Sequence, residues 1–208
     1  MMANVGCGQT PTPGWLNFDN SVSLTLARHI ALTKVLRSLK LLNEPQTQFI
    51  AFARAHKIRR ADCRTLPVSD NAFSALYSSH MFEHLDREEA SQFLREAYRV
   101  ICPGGVLRLA VPDLKRRVER YVRVGDADAF IESLNICEPK PKSMRNRLRD
   151  ALAGRRHHYW MYDAESLKAA LESHGFIDPV ELPPGKTTIA DPGELESVLK
   201  FRDGRFCG

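Results

Sequence analysis

An amino-terminal strand ends in Asn4-Val5-Gly6-Cys7-Gly8, and within the next eleven residues the chain passes Pro11, Pro13 and Gly14 to reach Asp19. No other feature constrains the fold as much. Glycines at a strand end let the backbone turn and approach a ligand closely, because no Cβ intervenes. The following apolar run, Trp15-Leu16-Asn17-Phe18, closes on Asp19. An acid at the carboxyl end of that next strand can accept both hydroxyl protons of a ribose. The glycines can also be a plain strand-ending turn, and Asp19 can cap a helix beginning after Asn20.

A dinucleotide fingerprint asks for a third glycine three residues after the second and an acid about 20 residues further on. Here position 11 is Pro11 and the acid comes sooner. NAD is disfavoured. The prolines leave no room for a crossover helix, and without a helix N-terminus there is no ready pyrophosphate site. A cofactor without phosphates fits better, and S-adenosylmethionine is one: it needs ribose and adenine contacts and a polar cradle for its amino acid end.

Further on come Ala61-Asp62-Cys63-Arg64, Ala75-Leu76-Tyr77-Ser78-Ser79-His80-Met81-Phe82-Glu83-His84-Leu85, and Arg99-Val100-Ile101-Cys102-Pro103-Gly104-Gly105. In this order and spacing, together with Asn4 to Gly8 and Asp19, residues 3 to 112 resemble the class I S-adenosylmethionine-dependent methyltransferases, in particular the methyltransferase type 11 group. Trp160-Met161-Tyr162-Asp163 and Leu171-Glu172-Ser173-His174-Gly175-Phe176 resemble the last helix and strand of bacterial members associated with surface-polysaccharide synthesis. The resemblance implies a doubly wound, mostly parallel seven-stranded α/β sheet of Rossmann-like form. It also implies an antiparallel hairpin at the sheet edge, for which Phe176 to Leu182 and Ser197 to Phe201 are the candidate strands.

At 208 residues and 43% apolar, the chain suits one sizeable α/β domain spanning residues 1–208. No run approaches the ~18 apolar residues of a membrane span, and the amino terminus enters a strand instead of a signal peptide. The expected compartment is the cytoplasm. Cys7, Cys63, Cys102, Cys137 and Cys207 are odd in number and lack C-x-x-C spacing, which argues against a disulfide framework and a structural zinc site. No metal ligand set is assigned.

Asp86 with Glu89 reads as a helix cap and its reciprocal partner. Ala90, Phe93, Leu94, Ala97, Tyr98 and Ile101 then recur at helical spacing until Pro103-Gly104-Gly105 stops them. Val106 to Val111 reads as a buried strand, and Asp163 to His174 as a capped helix ended by Gly175. Two helical insertions, 21–57 and 113–158, lie outside the minimal fold and are expected to act as lids that exclude water. The first holds a helix from about Val22 to Leu42.

Carried over from the resemblance, Asn4, Gly6 and Gly8 line the methionine part of the cofactor, Asp19 binds the ribose, and Asp62 with the Cys63 backbone meets the adenine. Ser79 and His80 sit beside the methionine and the transferring methyl. Asn4 stands where most of the family has an acid. His80, at the end of a central strand, is the candidate general base, since imidazole exchanges protons near neutrality. His84 is expected to orient the loop from within the core, and Glu83 to cap or pair locally. His157, His158, Trp160 and Tyr162 form either an acceptor wall or ordinary lid packing. Asp113 is an alternative base or a helix cap.

Between Arg108 and His158 there are thirteen Lys and Arg against seven Asp and Glu, so this stretch carries +6 while the whole chain carries +5. A local basic insertion suits an anionic acceptor, such as a phosphorylated or acidic glycan, a lipid-linked intermediate or RNA, though a solvated helix face is the alternative. Arg28, Lys34, Arg37 and Lys40, with the stripe Leu32, Val35, Leu36 and Leu39, allow peripheral membrane contact or packing on the core. The expected function is methyl transfer to a small-molecule or glycan-type acceptor at oxygen. Its rivals are an RNA methyltransferase and a non-catalytic binding protein that keeps the fold.

Overall fold

The computed structural model describes residues 1–137, 143–144, 146–147, 157–183, 186–190 and 192. Five strands, β1 (Met2–Val5), β2 (Leu16–Asp19), β3 (Ile58–Arg60), β4 (Phe73–Ser79) and β5 (Ile101–Ala110), form one sheet in the order β3-β2-β1-β4-β5. Every neighbouring pair is parallel. Strand order reverses between β1 and β4, and ligands of open α/β sheets bind outside the carboxyl ends of strands at such a point.

The expected link between β1 and β2 holds: no helix intervenes. A buried amide network replaces it. Asn17 donates to Thr12 O and Trp15 O, both at 3.0 Å, and accepts from Thr12 N at 2.7 Å. Asn4 donates to Thr10 O and Thr12 Oγ1, both at 3.0 Å. Buried polar groups need partners, and this loop supplies its own. Trp15 then covers Ala75 and Tyr77 on one sheet face together with Ile189.

The opposite face is packed by α4 (Arg87–Val100), which begins with the expected capping box: Asp86 accepts from the N–H groups of Glu88 and Glu89, and Glu89 reaches back to Asp86 N. Phe93, Leu94, Ala97 and Val100 pack against Phe18, Phe73 and Leu76. Burying each large apolar side chain stabilises the fold by roughly 1.5–3 kcal/mol. The helix stops at Val100, earlier than Pro103. β5 starts at once and slips register, pairing Phe73 with Ile101 but Ala75 with Val106, because Pro103 lacks an N–H and Gly104 lies at φ +78°.

Glu96 on α4 anchors the loop after β3. It accepts from Leu66 N and Arg99, and Arg99 also reaches Asp70 and the carbonyl of Val68. Burial pushes the Glu96 carboxyl up, but the hydrogen bonds from Arg99 and Leu66 and the Arg99 charge outweigh it and hold it below its ordinary 4.5. A carboxyl with a depressed folded-state pKa stabilises the fold above its unfolded value and loses that contribution as pH falls through the folded one. The thermal midpoint is therefore expected to drop on acidification below 4.5. Glu96→Gln should flatten that drop in melts recorded across the acid range, while costing about 1–3 kcal/mol at neutral pH.

Three expectations are corrected. The helix expected over 22–42 is two helices, α1 (Val22–Arg28) and α2 (Ile30–Ser38). His29 breaks them at φ −114° and ψ 80°, and Thr33 Oγ1 back-bonds to Leu26 O and His29 O. α1 packs against α3 (Glu44–Ala55), whereas the apolar stripe of α2 faces outward, with Leu32, Val35 and Leu39 each about half exposed. The seven-stranded sheet with an antiparallel final strand is instead five parallel strands among the described residues. Phe176 to Leu182 forms no strand: Asp178 sits at φ +50° before Pro179, and Pro183 follows. Ser197 to Phe201 lies outside the described residues. After α5 (Leu114–Val124) and α6 (Ala127–Leu134), the Asp163 to His174 helix is observed as α7 (Ala164–Glu172), capped by Asp163. No helix among the described residues is long and apolar enough to cross a membrane.

Candidate functional site

Gly6 and Gly8, at φ +73° and +50°, turn the chain at the end of β1. The N–H groups of Gly6 and Cys7 both donate to Phe18 O, which locks the turn onto β2. Gly8 N donates to Asp19 Oδ2 at 3.0 Å, while Ser21 N donates to Oδ1 at 2.7 Å. Asp19 is thus fixed by two backbone donors, and Ser21, not Asp19, caps α1. Ala61 N donates to Asp19 O, which places the end of β3 beside the end of β2.

Asp62 follows. Its carboxylate accepts from Arg64 at 2.6 and 2.9 Å, and Arg64 also reaches Glu89 at 3.0 Å. The bond from Arg64 holds the Asp62 carboxyl below its usual range. Burial pushes the neighbouring Cys63 thiol up to about 12, so this sulfur stays protonated. Among the described residues no cysteine forms a disulfide.

At the end of β4, Ser79 pairs with Ala110, and His80 N donates to Ala110 O. His80 adopts φ +51°, uncommon for a residue with a side chain. Its Nδ1 lies 3.2 Å from Glu83 Oε1. Met81 then passes under the glycine turn, where a Cβ on Gly6 would stand 2.5 Å from Met81 Cγ.

The structure brings Gly6, Gly8, Asp19, Asp62, Ser79 and His80 to one end of the sheet. Asn4 is there too, 2% exposed, but its amide is spent on the loop. The acceptor candidates divide. Tyr162 is buried on Phe82, with ring centroids 5.0 Å apart, and packs in the core. Trp160 is half exposed with the Arg87 guanidinium 4.8 Å over its ring. His158 lies beside Glu83 and His84; burial lowers its affinity for a proton, against the pull of Glu83. Asp113 accepts from Lys115 N and caps α5 (Leu114–Val124).

Two residues carry more than their sequence suggested. Ser78 is buried, and its hydroxyl has no hydrogen-bond partner among the described residues; it lies 3.9 Å from where a Gly6 Cβ would stand. Glu83, expected to act locally, is 1% exposed; its carboxylate lies beside His80 and His158, and its backbone carbonyl accepts from the N–H groups of Tyr159 and Trp160. The clustering of four histidines around one acid in two short runs was the available signal.

The residues present fit S-adenosylmethionine. A turn that admits no Cβ, an unpartnered buried hydroxyl beneath it and a fixed strand-end carboxylate suit a ligand with an amino acid end and a ribose. A cavity of about 940 Å³ lies elsewhere, along the outer edge of β5 and under Phe176 to Pro183. None of the crevice residues lines it. It is the groove beside the edge of β5 that pairs with no strand among the described residues.

The family model for the methyltransferase domain matches residues 3–109, just over half of the chain. No curated protein matches. Similar solved structures include an S-adenosylmethionine-dependent methyltransferase, possibly a histamine N-methyltransferase, from Thermotoga maritima (16% identity, TM-score 0.46, 85% of this chain and 63% of that one). Another is an S-adenosylmethionine-dependent methyltransferase from Methanosarcina mazei (14%, 0.47, 83% and 77%). A third is phosphoethanolamine N-methyltransferase 2 from Haemonchus contortus with S-adenosylmethionine (14%, 0.44, 85% and 33%). The chain thus spans less than two thirds of the Thermotoga and Haemonchus proteins. On the matched span, which holds the glycine turn, Asp19 and His80, the chain belongs to the methyltransferase domain family, the class I S-adenosylmethionine-dependent methyltransferases.

Proposed function

We propose that this chain methylates a hydroxyl oxygen of a small-molecule or glycan-type acceptor, with His80 as the general base. The observation that carries this reading is the His80 Nδ1 contact with the buried Glu83 carboxylate, 3.2 Å away at the end of β4. A carboxylate can only accept here, so it keeps the proton on Nδ1 and leaves Nε2 as the basic nitrogen. S-adenosylmethionine, when bound, supplies an electrophilic methyl carbon on a sulfonium. Gly6, Gly8 and Ser79 would hold its amino acid end, Asp19 its ribose, and Asp62 with Cys63 its adenine, while Asn4, first expected at the amino acid end, braces the loop beneath them instead. His80 takes the acceptor proton, and positioning does the rest.

His158 and Trp160 stand on the acceptor side, with Tyr162 supporting them from the core. Lys115, Arg116, Arg120 and Arg123 on α5 are exposed, which supports an anionic acceptor. The outward apolar stripe of α2, flanked by Lys34 and Arg37, supports contact with an anionic membrane surface where a lipid-linked acceptor would be met. The insertions 21–57 and 113–158 serve as lids in this reading. RNA as acceptor would need the same cations, and its binding would fall steeply with salt.

Calorimetric titration of S-adenosylmethionine into the wild-type chain and Asp19→Asn tests the cofactor half. Asparagine keeps an acceptor for Gly8 N but loses the charge that strengthens two ribose hydrogen bonds. Saturable wild-type binding, weakened about 10- to 100-fold in the variant, is expected. A folded wild type that binds nothing would remove the reading and favour a scaffold protein.

A further inference from the structure

We propose that Glu83, His84 and His158 bind one divalent transition-metal ion of the zinc type. One ligand atom from each lies within 4.8 Å of the other two, between the Phe82–His84 turn and the segment entering α7, with Glu83 buried and both histidines partly buried. Two imidazoles and one carboxylate form a ligand set that zinc accepts, with a fourth position open.

Both histidines are held in the tautomer a metal requires. His84 Nδ1 lies 2.8 Å from His157 O, and His158 Nδ1 lies 2.8 Å from Leu134 O. A carbonyl only accepts, so each Nδ1 carries the proton and each Nε2 keeps its lone pair. Ligating histidines are oriented in this way by outer partners. His158 Nε2 points at Glu83 Oε1, 3.9 Å away.

The acid supplies an independent observation. Glu83 is 1% exposed, and its Oε2 has no hydrogen-bond partner among the described residues. A buried carboxylate oxygen left unpaired is costly, and an ion is one of the few things that repays it. Tetrahedral zinc needs its ligand atoms about 3.3 Å apart. The site must therefore tighten from the present spacing; Oε2 has no hydrogen bond among the described residues to give up, whereas Oε1 carries the contact with His80. A bound ion would fasten the segment from His157 to Trp160 to the end of β4, across a separation of more than 70 residues. It would sit next to His80 without replacing it as base.

The test reads metal, so it stands or falls apart from methyl transfer. The full chain, with Cys137→Ser and Cys207→Ser to remove exposed or terminal thiols, is stripped with chelator and titrated with Zn²⁺ against a chromophoric competitor. Cobalt(II) substitution is followed by visible absorption. One equivalent per chain is expected, with tetrahedral cobalt bands. Affinity should fall on the order of 100-fold or more in Glu83→Gln and His158→Asn, and stay within about threefold in His174→Asn, whose ring bonds Ser91 away from the cluster. Circular dichroism confirms that each variant is folded. Absence of stoichiometric binding by the folded wild-type sites overturns the proposal, as does binding that survives in Glu83→Gln. Binding of S-adenosylmethionine by a chain that takes no metal overturns this inference alone; metal uptake without cofactor binding overturns only the proposed function.

Discussion

His80→Asn should lower kcat by about 10²- to 10⁴-fold with an acceptor alcohol, while S-adenosylmethionine binds within about threefold of wild type. Asparagine is chosen because position 80 lies at φ +51°, a region it tolerates better than alanine does, so the backbone that hydrogen-bonds Ala110 survives. The amide cannot accept a proton at neutral pH, so only the base function is removed. Glu83→Gln should fall between the two: His80 remains, but loses the carboxylate that fixes its tautomer and stabilises its protonated form. Single-turnover rates beside calorimetric affinities separate these effects. Retained turnover in His80→Asn would remove the base assignment and leave positioning alone, as suffices for an amine acceptor that arrives unprotonated.

The glycine turn at the end of β1 and the strand that closes on Asp19 were legible in the sequence because they are local. Gly6, Gly8 and Asp19 lie within fourteen residues, and the prolines between them already ruled out a crossover helix. α4 was legible for the same reason, its cap and apolar face being written in consecutive residues. What failed was set by tertiary context. The break at His29 depends on Thr33 turning back onto the preceding helix, an interaction that periodicity does not encode. The outer face of the 176–182 segment is apolar at Ile177 and Val180, yet both stay exposed and no strand forms, since Pro179 and Pro183 withhold the donors an edge ladder needs. Glu83, His84 and His158 gather only after β4 and the segment before α7 meet, which sequence separation hid.

Gly6→Ala should cost about 2–4 kcal/mol of stability and abolish measurable cofactor binding, whereas Gly14→Ala should cost about 1 kcal/mol and leave binding intact. The two glycines have nearly the same positive φ, +73° and +78°, so the strain that φ imposes on a side chain is common to both. They differ in surroundings. A Cβ at Gly14 meets nothing within 4 Å, but at Gly6 it meets Met81 Cγ at 2.5 Å and Met81 Cβ at 2.7 Å. Met81 Cβ is fixed to the backbone between His80 and Phe82, so rotation of the side chain cannot clear it. The displacement must pass either into the turn that positions Gly8 and Asp19 or into the segment that carries His80. Denaturant unfolding of Gly6→Ala, Met81→Ala and the double variant measures the coupling. The side-chain part of the clash should be relieved in the double variant, recovering roughly 1 kcal/mol or more. Equal costs at positions 6 and 14 would show that the close approach between the β1 turn and the β4 end is not what reserves this position for glycine.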